Sequence, residues 1–211
     1  MKVVRFPGLK ELAELTAPYL NCSTVAISVG STYSQLFPYW LELHPQLIQT
    51  EFFPVDERVV PFEAPQSNWG TAYRQFLKPA GRAVDRNKWP QSSDDYCRIL
   101  KERFGKGLPK FDSIFLGVGN DGHTASLFPG YTLTDSTTAA AIQTQSPIPP
   151  VDRITLAPTV LARCSNLVVV LSGKGKEKIA RRVIDSDDSL PIVQICRSHP
   201  SPILFISNEL A

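Results

Sequence analysis

The chain reads as a doubly wound α/β domain, a mostly parallel sheet with helices on both faces. Three observations predict it. Apolar segments of strand length alternate with helix-periodic segments, the strands are apolar throughout rather than every second residue, and their carboxyl ends run into glycine, hydroxyl and charged residues. At 211 residues with 43% hydrophobic content the chain can bury one sizeable core, so a single domain over residues 1–211 is expected. A Rossmann-like sheet of this kind holds its ligand in the crevice outside the carboxyl ends of its strands.

Residues 3–6 form the first expected strand. Leu9, Leu12, Ala13, Leu15 and Ala17 then give residues 9–20 helical periodicity, and residues 24–29 form a second strand. That strand feeds Ser28-Val29-Gly30-Ser31-Thr32, where Ser31 or Thr32 can cap a following helix. The free N–H groups and hydroxyls of such a loop make a phosphate seat, although ordinary capping accounts for the same residues. Residues 51–55 form a third strand that runs into Asp56-Glu57-Arg58. Asp56 and Arg58 are two positions apart and so can point together into one site, while a solvated turn remains the plainer alternative. Ser67-Asn68 caps a helix through Tyr73, Phe76 and Leu77, residues 79–90 read as a loop, and residues 92–104 read as another helix.

The most informative stretch is Phe111 to Gly130. Ile114, Phe115, Leu116 and Val118 make a strand expected to be covered on both faces. Gly117, Gly119 and Gly122 then remove Cβ atoms at a sharp corner that carries Asn120, Asp121, His123, Thr124 and Ser126. A histidine here can take a proton from water near neutral pH. Further on, Pro147, Pro149 and Pro150 stiffen the approach to a strand that begins near Arg153. Residues 167–171 form another apolar strand, ending in Ser172-Gly173-Lys174-Gly175-Lys176 before a helix. Its lysines can hold a phosphate by point charge or simply be solvated.

The strand ends thus offer hydroxyls, a carboxylate with an arginine, an imidazole and lysines, a set that suits a small phosphorylated substrate. Gly117-x-Gly119-x-Asp121-Gly122-His123-Thr124-Ala125-Ser126-Leu127-Phe128-Pro129 resembles the signature of the 6-phosphogluconolactonases. The resemblance extends in order through Ser28-x-Gly30-Ser31-Thr32, Asp56-Glu57-Arg58, Ser67-Asn68, Arg153-Ile154-Thr155 and Ser172 to Lys176. The related glucosamine-6-phosphate deaminases continue their Asp-Gly-His turn with an isoleucine, a phenylalanine and then Asn-Glu-Pro, whose glutamate has no equivalent in this chain. Val29 and Tyr33 depart from the lactonase pattern, which usually has glycine and proline there.

The resemblance implies hydrolysis of 6-phosphoglucono-δ-lactone, the second step of the oxidative pentose phosphate pathway. It implies His123 as base and then acid, with Asp56 and Asp121 completing the catalytic set and Asp56 orienting His123 or a substrate hydroxyl. Gly30, Ser31, Thr32, Arg58, Arg153 and Lys176 are the implied phosphate contacts. Asn120 or the backbone of residues 119–122 is the implied source of oxyanion donors. The alternatives are a non-catalytic sugar-phosphate-binding protein and an amino-sugar phosphate isomerase or deaminase. No metal or cofactor is expected, since Asp56, Asp121 and His123 lack ligand spacing and an activated lactone yields to acid–base help alone.

The net charge of +2 arises from 22 basic and 20 acidic residues spread along the chain, so no polybasic arm or acidic tail argues for nucleic acid or a membrane. Cys22, Cys97, Cys164 and Cys196 are widely spaced thiols, which suits a reducing compartment. With no apolar stretch of signal-peptide or membrane-span length, the chain is expected to be cytoplasmic. The expected partner is a small phosphosugar lactone, with the protein a monomer or small homo-oligomer.

Overall fold

A computed structural model describes residues 1–43, 50–83, 85–131 and 138–210. In chain order the elements are β1 (Lys2–Phe6), α1 (Leu9–Thr16), β2 (Thr24–Ile27), α2 (Ser31–Leu43), β3 (Glu51–Pro54), β4 (Asp56–Arg58), α3 (Asn68–Ala72), α4 (Ser93–Phe104) and β5 (Ser113–Gly117). They continue as β6 (Ala141–Gln145), β7 (Asp152–Leu156), α5 (Pro158–Leu161), β8 (Asn166–Leu171), α6 (Glu177–Ile184), α7 (Pro191–Ser198) and β9 (Ile203–Ser207).

Six strands pair in parallel in the order β1-β9-β8-β5-β2-β3. Strands wrapped on both faces bury both sets of side chains, and β5 does so: Ile114 and Leu116 enter one core cluster while Phe115 enters the other. The Phe115 side is aromatic. Trp40 meets Phe115 edge-on at 5.3 Å, and Phe37 stacks on Phe76 at 4.8 Å. After β2 the chain moves to β3 on one side, then crosses back to β5 on the other. The ends of β2 and β5 therefore form the switch point where such sheets open a crevice.

A second, antiparallel sheet of order β4-β7-β6 was not foreseen. Its entry strand β4 is only three residues long and all charged, which defeats any reading by hydrophobic period. Val55 joins the two sheets, donating its N–H to Ile27 and accepting from Leu156.

Other boundaries shift locally. The helix expected over residues 9–20 ends at Thr16 and tightens into a 3₁₀ turn at Ala17–Tyr19, with Pro18 in its first turn. Ser67 caps α3 as expected, accepting from the Gly70 N–H at 3.0 Å, but the helix then widens into a π turn at Tyr73–Leu77. Ser92 caps α4, accepting from the Asp95 N–H at 3.1 Å. The loop read over residues 79–90 holds a 3₁₀ turn at Arg86–Lys88, and residue 84 within it lies outside the described residues. Among the described residues no helix is long and apolar enough to cross a membrane.

Candidate active site

The carboxyl ends of β2, β5 and β8, with β4 and β7 of the second sheet, surround a cavity of about 300 Å³. Gly30, Ser31, Thr32, Asp56, Arg58, Asn120, His123, Arg153 and Lys176 all line it; of the sequence-predicted site residues only Asp121 lies outside the lining, exposed and bonded to His123.

Helix α2 begins at Ser31, so Ser31 and Thr32 stand in its first turn rather than before it, and Gly30 occupies the place before the helix. Thirteen helical residues point their amino end at the cavity, where first-turn N–H groups have no partner within the helix. Among the described residues, Ser28 Oγ and Arg58 Nε are buried without a hydrogen-bond partner, and both residues line the same cavity.

At the end of β5 the turn closes on itself. The Gly119 N–H donates to the His123 carbonyl at 2.8 Å, and the Gly122 N–H donates to Gly119 at 3.0 Å. Of the backbone donors expected over residues 119–122, those of Gly119 and Gly122 are used within the turn, and Asn120 lines the cavity. Gly122 has φ +92, a left-handed conformation that favours glycine. The turn brings His123 Nδ1 to 2.6 Å from Asp121 Oδ1. Burial pushes the Asp121 carboxyl up, but the His123 backbone N–H, charge and ring hydrogen bond together outweigh it and hold the carboxyl below its ordinary value. A carboxylate on Nδ1 fixes the ring and leaves Nε2 to exchange a proton.

Asp56 was expected to orient His123 or a substrate hydroxyl. Among the described residues the carboxylate on His123 is Asp121, whereas Asp56 Oδ2 accepts from the buried Ser126 hydroxyl at 2.7 Å. Asp56 and Arg58 do share a face of β4, as their spacing suggested, and Glu57 between them turns inward to complete burial. One Glu57 oxygen accepts from the Arg58 and Asn68 N–H groups, and the other from the Ser67 hydroxyl and Trp69 N–H. Desolvation raises this carboxyl to about 6 despite those bonds.

Glu57 thereby ties the start of α3 to β4, and Asn68, which donates to the Asp56 carbonyl at 3.0 Å, lines the cavity. In the sequence Ser67-Asn68 reads as a cap and as part of the family resemblance, with no site role given to Asn68. A hydroxyl cap followed at once by an amide, shortly after a strand end, was the available signal.

Three cations meet at the cavity. Arg58 donates to the Gln66 carbonyl at 2.8 Å, and Arg153 Nε donates to Pro150 at 2.7 Å. Lys176 Nζ donates to Val118 at 2.7 Å, and burial lowers its basicity. Lys174, by contrast, is exposed and outside the lining.

Residues 10–204 match the family described as glucosamine-6-phosphate isomerases/6-phosphogluconolactonase. The chain belongs to this family. A human 6-phosphogluconolactonase is 31% identical over 166 residues, covering 74% of this chain and 64% of that protein. The chloroplastic 6-phosphogluconolactonase 3 of Arabidopsis thaliana is 33% identical over 195 residues, covering 80% and 58%. The chain thus spans about three fifths of the length of the curated relatives it matches. Among solved structures, a 6-phosphogluconolactonase from Trypanosoma cruzi superposes with a TM-score of 0.80 at 25% identity, over 100% of this chain and 95% of that one.

The two departures from the family's first loop have a structural account. Tyr33 is buried, meets Phe115 edge-on at 6.4 Å and donates its hydroxyl to the Leu116 carbonyl at 2.9 Å. It therefore ties the start of α2 to the end of β5 beneath the cavity. Val29 joins the same aromatic cluster.

Proposed function

We propose that this chain hydrolyses 6-phospho-D-glucono-1,5-lactone to 6-phosphogluconate. The observation that carries the reading is the His123–Asp121 pair set at one wall of a cavity whose other walls present Arg58, Arg153, Lys176 and the start of α2. An acid–base pair beside three cations and a helix amino end suits a neutral ester on a phosphorylated sugar. Ser28 Oγ and Arg58 Nε, without a partner among the described residues, supply further donors for a polar ligand. Relatives named 6-phosphogluconolactonase, and the Thr124-Ala125-Ser126-Leu127-Phe128-Pro129 continuation where deaminases run on to Asn-Glu-Pro, favour the lactone over an amino sugar.

In this reading Gly30, Ser31, Thr32, Arg58, Arg153 and Lys176 hold the phosphate and place the lactone carbonyl over His123. Nε2 takes a proton from water as its oxygen bonds to the carbonyl carbon, and the carbonyl oxygen becomes an oxyanion held by Asn120. Collapse of the tetrahedral intermediate breaks the bond to the ring oxygen, which takes the proton back from Nε2 and leaves as the hydroxyl. The new carboxylic acid ionises, so one proton appears in solution per turnover. Asp121 holds the imidazolium formed midway, and Asp56 accepts a substrate hydroxyl.

The test is acid release from freshly generated lactone against the spontaneous background near pH 7, with wild type and His123→Ala together. The expected result is acceleration by wild type and a loss of about 10²–10⁴ in kcat for the variant, with phosphosugar binding retained. No acceleration by wild type would overturn the lactonase reading and favour a binding protein or deaminase.

A further inference from the structure

We infer that Ser126 is a positioning residue for this reaction: its hydroxyl fixes the Asp56 carboxylate at a set place relative to His123. The inference rests on the lactonase reading and adds to it a residue with no contact to the cavity, since Ser126 is fully buried and absent from the lining.

The geometry is specific. Ser126 Oγ donates to Asp56 Oδ2 at 2.7 Å, so one carboxylate oxygen is taken from behind. Among the described residues Oδ1 has no protein partner, and Asp56 lines the cavity, which leaves Oδ1 to meet a bound molecule. Ser126 is itself held on both sides. The Thr124 and Leu127 backbones bond each other reciprocally, at 3.1 and 2.9 Å, and so close a tight turn around it. Its own carbonyl accepts from the Thr144 hydroxyl on β6 at 2.8 Å.

That turn carries a local strain. Ala125, a cavity-lining residue, sits at φ +50, a conformation non-glycine residues seldom adopt, and such a residue persists only where its surroundings over-determine it. The surroundings here are the Ser126 bonds to Asp56 and Thr144 and the Thr124 hydroxyl bonded to the Gly117 carbonyl at 2.8 Å. His123 and Ser126 therefore belong to one rigid turn at the end of β5, while Asp56 belongs to β4 in the other sheet. The Ser126–Asp56 bond spans 70 residues of sequence and directly ties the turn that carries the base to the strand that carries Asp56 and Arg58.

The experiment is kinetics on Ser126→Ala, Asp56→Asn and the double variant, with thermal melting of each. Ser126→Ala is expected to lower kcat by about tenfold to a hundredfold, the usual effect of losing a hydrogen bond to a charged group. KM should change less, because the phosphate cations that set most of the ground-state affinity stay in place, whereas the Asp56 contact to a substrate hydroxyl sets where the lactone carbonyl lies relative to His123 and is therefore read mainly in kcat. In the Asp56→Asn background the same substitution should cost no further kcat, since Ser126 acts through Asp56. Ser126→Cys keeps the volume and gives up most of the donor strength, and it serves if the alanine variant melts too low to assay. Unchanged kcat in Ser126→Ala, or a loss repeated in full beside Asp56→Asn, overturns the inference while the lactonase reading stands. A wild type that turns over no lactone overturns that reading and this inference with it.

Discussion

Arg58 and Arg153 are direct cross-strand partners in the β4–β7 ladder. Both line the cavity, and Arg153 is 6% exposed. Burial first, and the Arg58 charge second, hold the Arg153 guanidinium below its usual value. Like charges directly opposite each other are destabilising in a sheet, so the pair carries a repulsion that the phosphate of the proposed substrate would relieve. Replacing Arg58 by Met keeps the apolar stem and removes the charge. KM is expected to rise by about tenfold or more with kcat much less affected, because a phosphate contact serves substrate and transition state alike. Steady-state kinetics decide it, and a fall in kcat at constant KM would assign Arg58 to the developing oxyanion instead.

Asp121→Asn tests the carboxylate that the geometry puts on the imidazole. The amide can turn its NH₂ toward Nδ1 and so favour the tautomer with the proton on Nε2, the wrong atom for taking a proton from water. A loss of about 10²–10⁴ in kcat with little change in KM is expected, comparable to the same exchange in other His–Asp pairs. Retained kcat would remove Asp121 from the mechanism.

Much of this arrangement was legible in the sequence because the parallel strands are apolar on both faces and their ends carry the unusual residues. Residues 114–118 and 167–171 announce buried strands, and Gly30, Arg58, His123 and Lys176 follow strand ends. The second sheet was not legible, since Asp56–Arg58 has no period to read and pairs with a strand nearly a hundred residues later. Nor was the choice between Asp56 and Asp121 as the partner of His123. That choice depends on how the Gly119–Gly122 turn folds back, and turn closure is set by backbone bonds that no side-chain pattern reports. Glu57 was hidden for a similar reason: its partners at Ser67, Asn68 and Trp69 become neighbours only after folding.

Glu57 gives the protein a predictable pH dependence. Its carboxyl is raised from an ordinary 4.5 to about 6, so between those values the folded chain binds a proton more tightly than the unfolded chain. A raised folded value means the contribution is fully present below pH 4.5 and is lost as pH rises through about 6. The difference is worth about 2 kcal/mol. Glu57→Gln should be less stable throughout, because an amide NH₂ would face backbone donors, and it should lack this titration. Denaturation of both proteins across this window is expected to show the advantage of wild type shrinking by about 2 kcal/mol as pH rises. A difference that stays constant with pH would sink the assignment.

Gly119 and Gly122 separate catalysis from folding within one turn. A Cβ built on Gly119 would lie 2.2 Å from His123 Nδ1 and 2.7 Å from Asp121 Oδ1, so the imidazole packs where a side chain would be. The Gly119 backbone is outside the left-handed region, and alanine there meets no conformational penalty of its own. The added methyl must therefore be accommodated by moving the exposed end of the pair, and a displacement of about 1 Å is enough to cost about a hundredfold in rate. Gly119→Ala is expected to lose that much kcat while melting within a few degrees of wild type and still binding 6-phosphogluconate. Gly122→Ala carries both penalties: φ is +92, and the methyl would meet Leu190 Cδ2 at 2.6 Å and Ile179 Cδ1 at 2.9 Å in the core. Its expected signature is a large drop in melting temperature. Were Gly119→Ala to keep full activity, the close packing of His123 on residue 119 would play no part in holding the base.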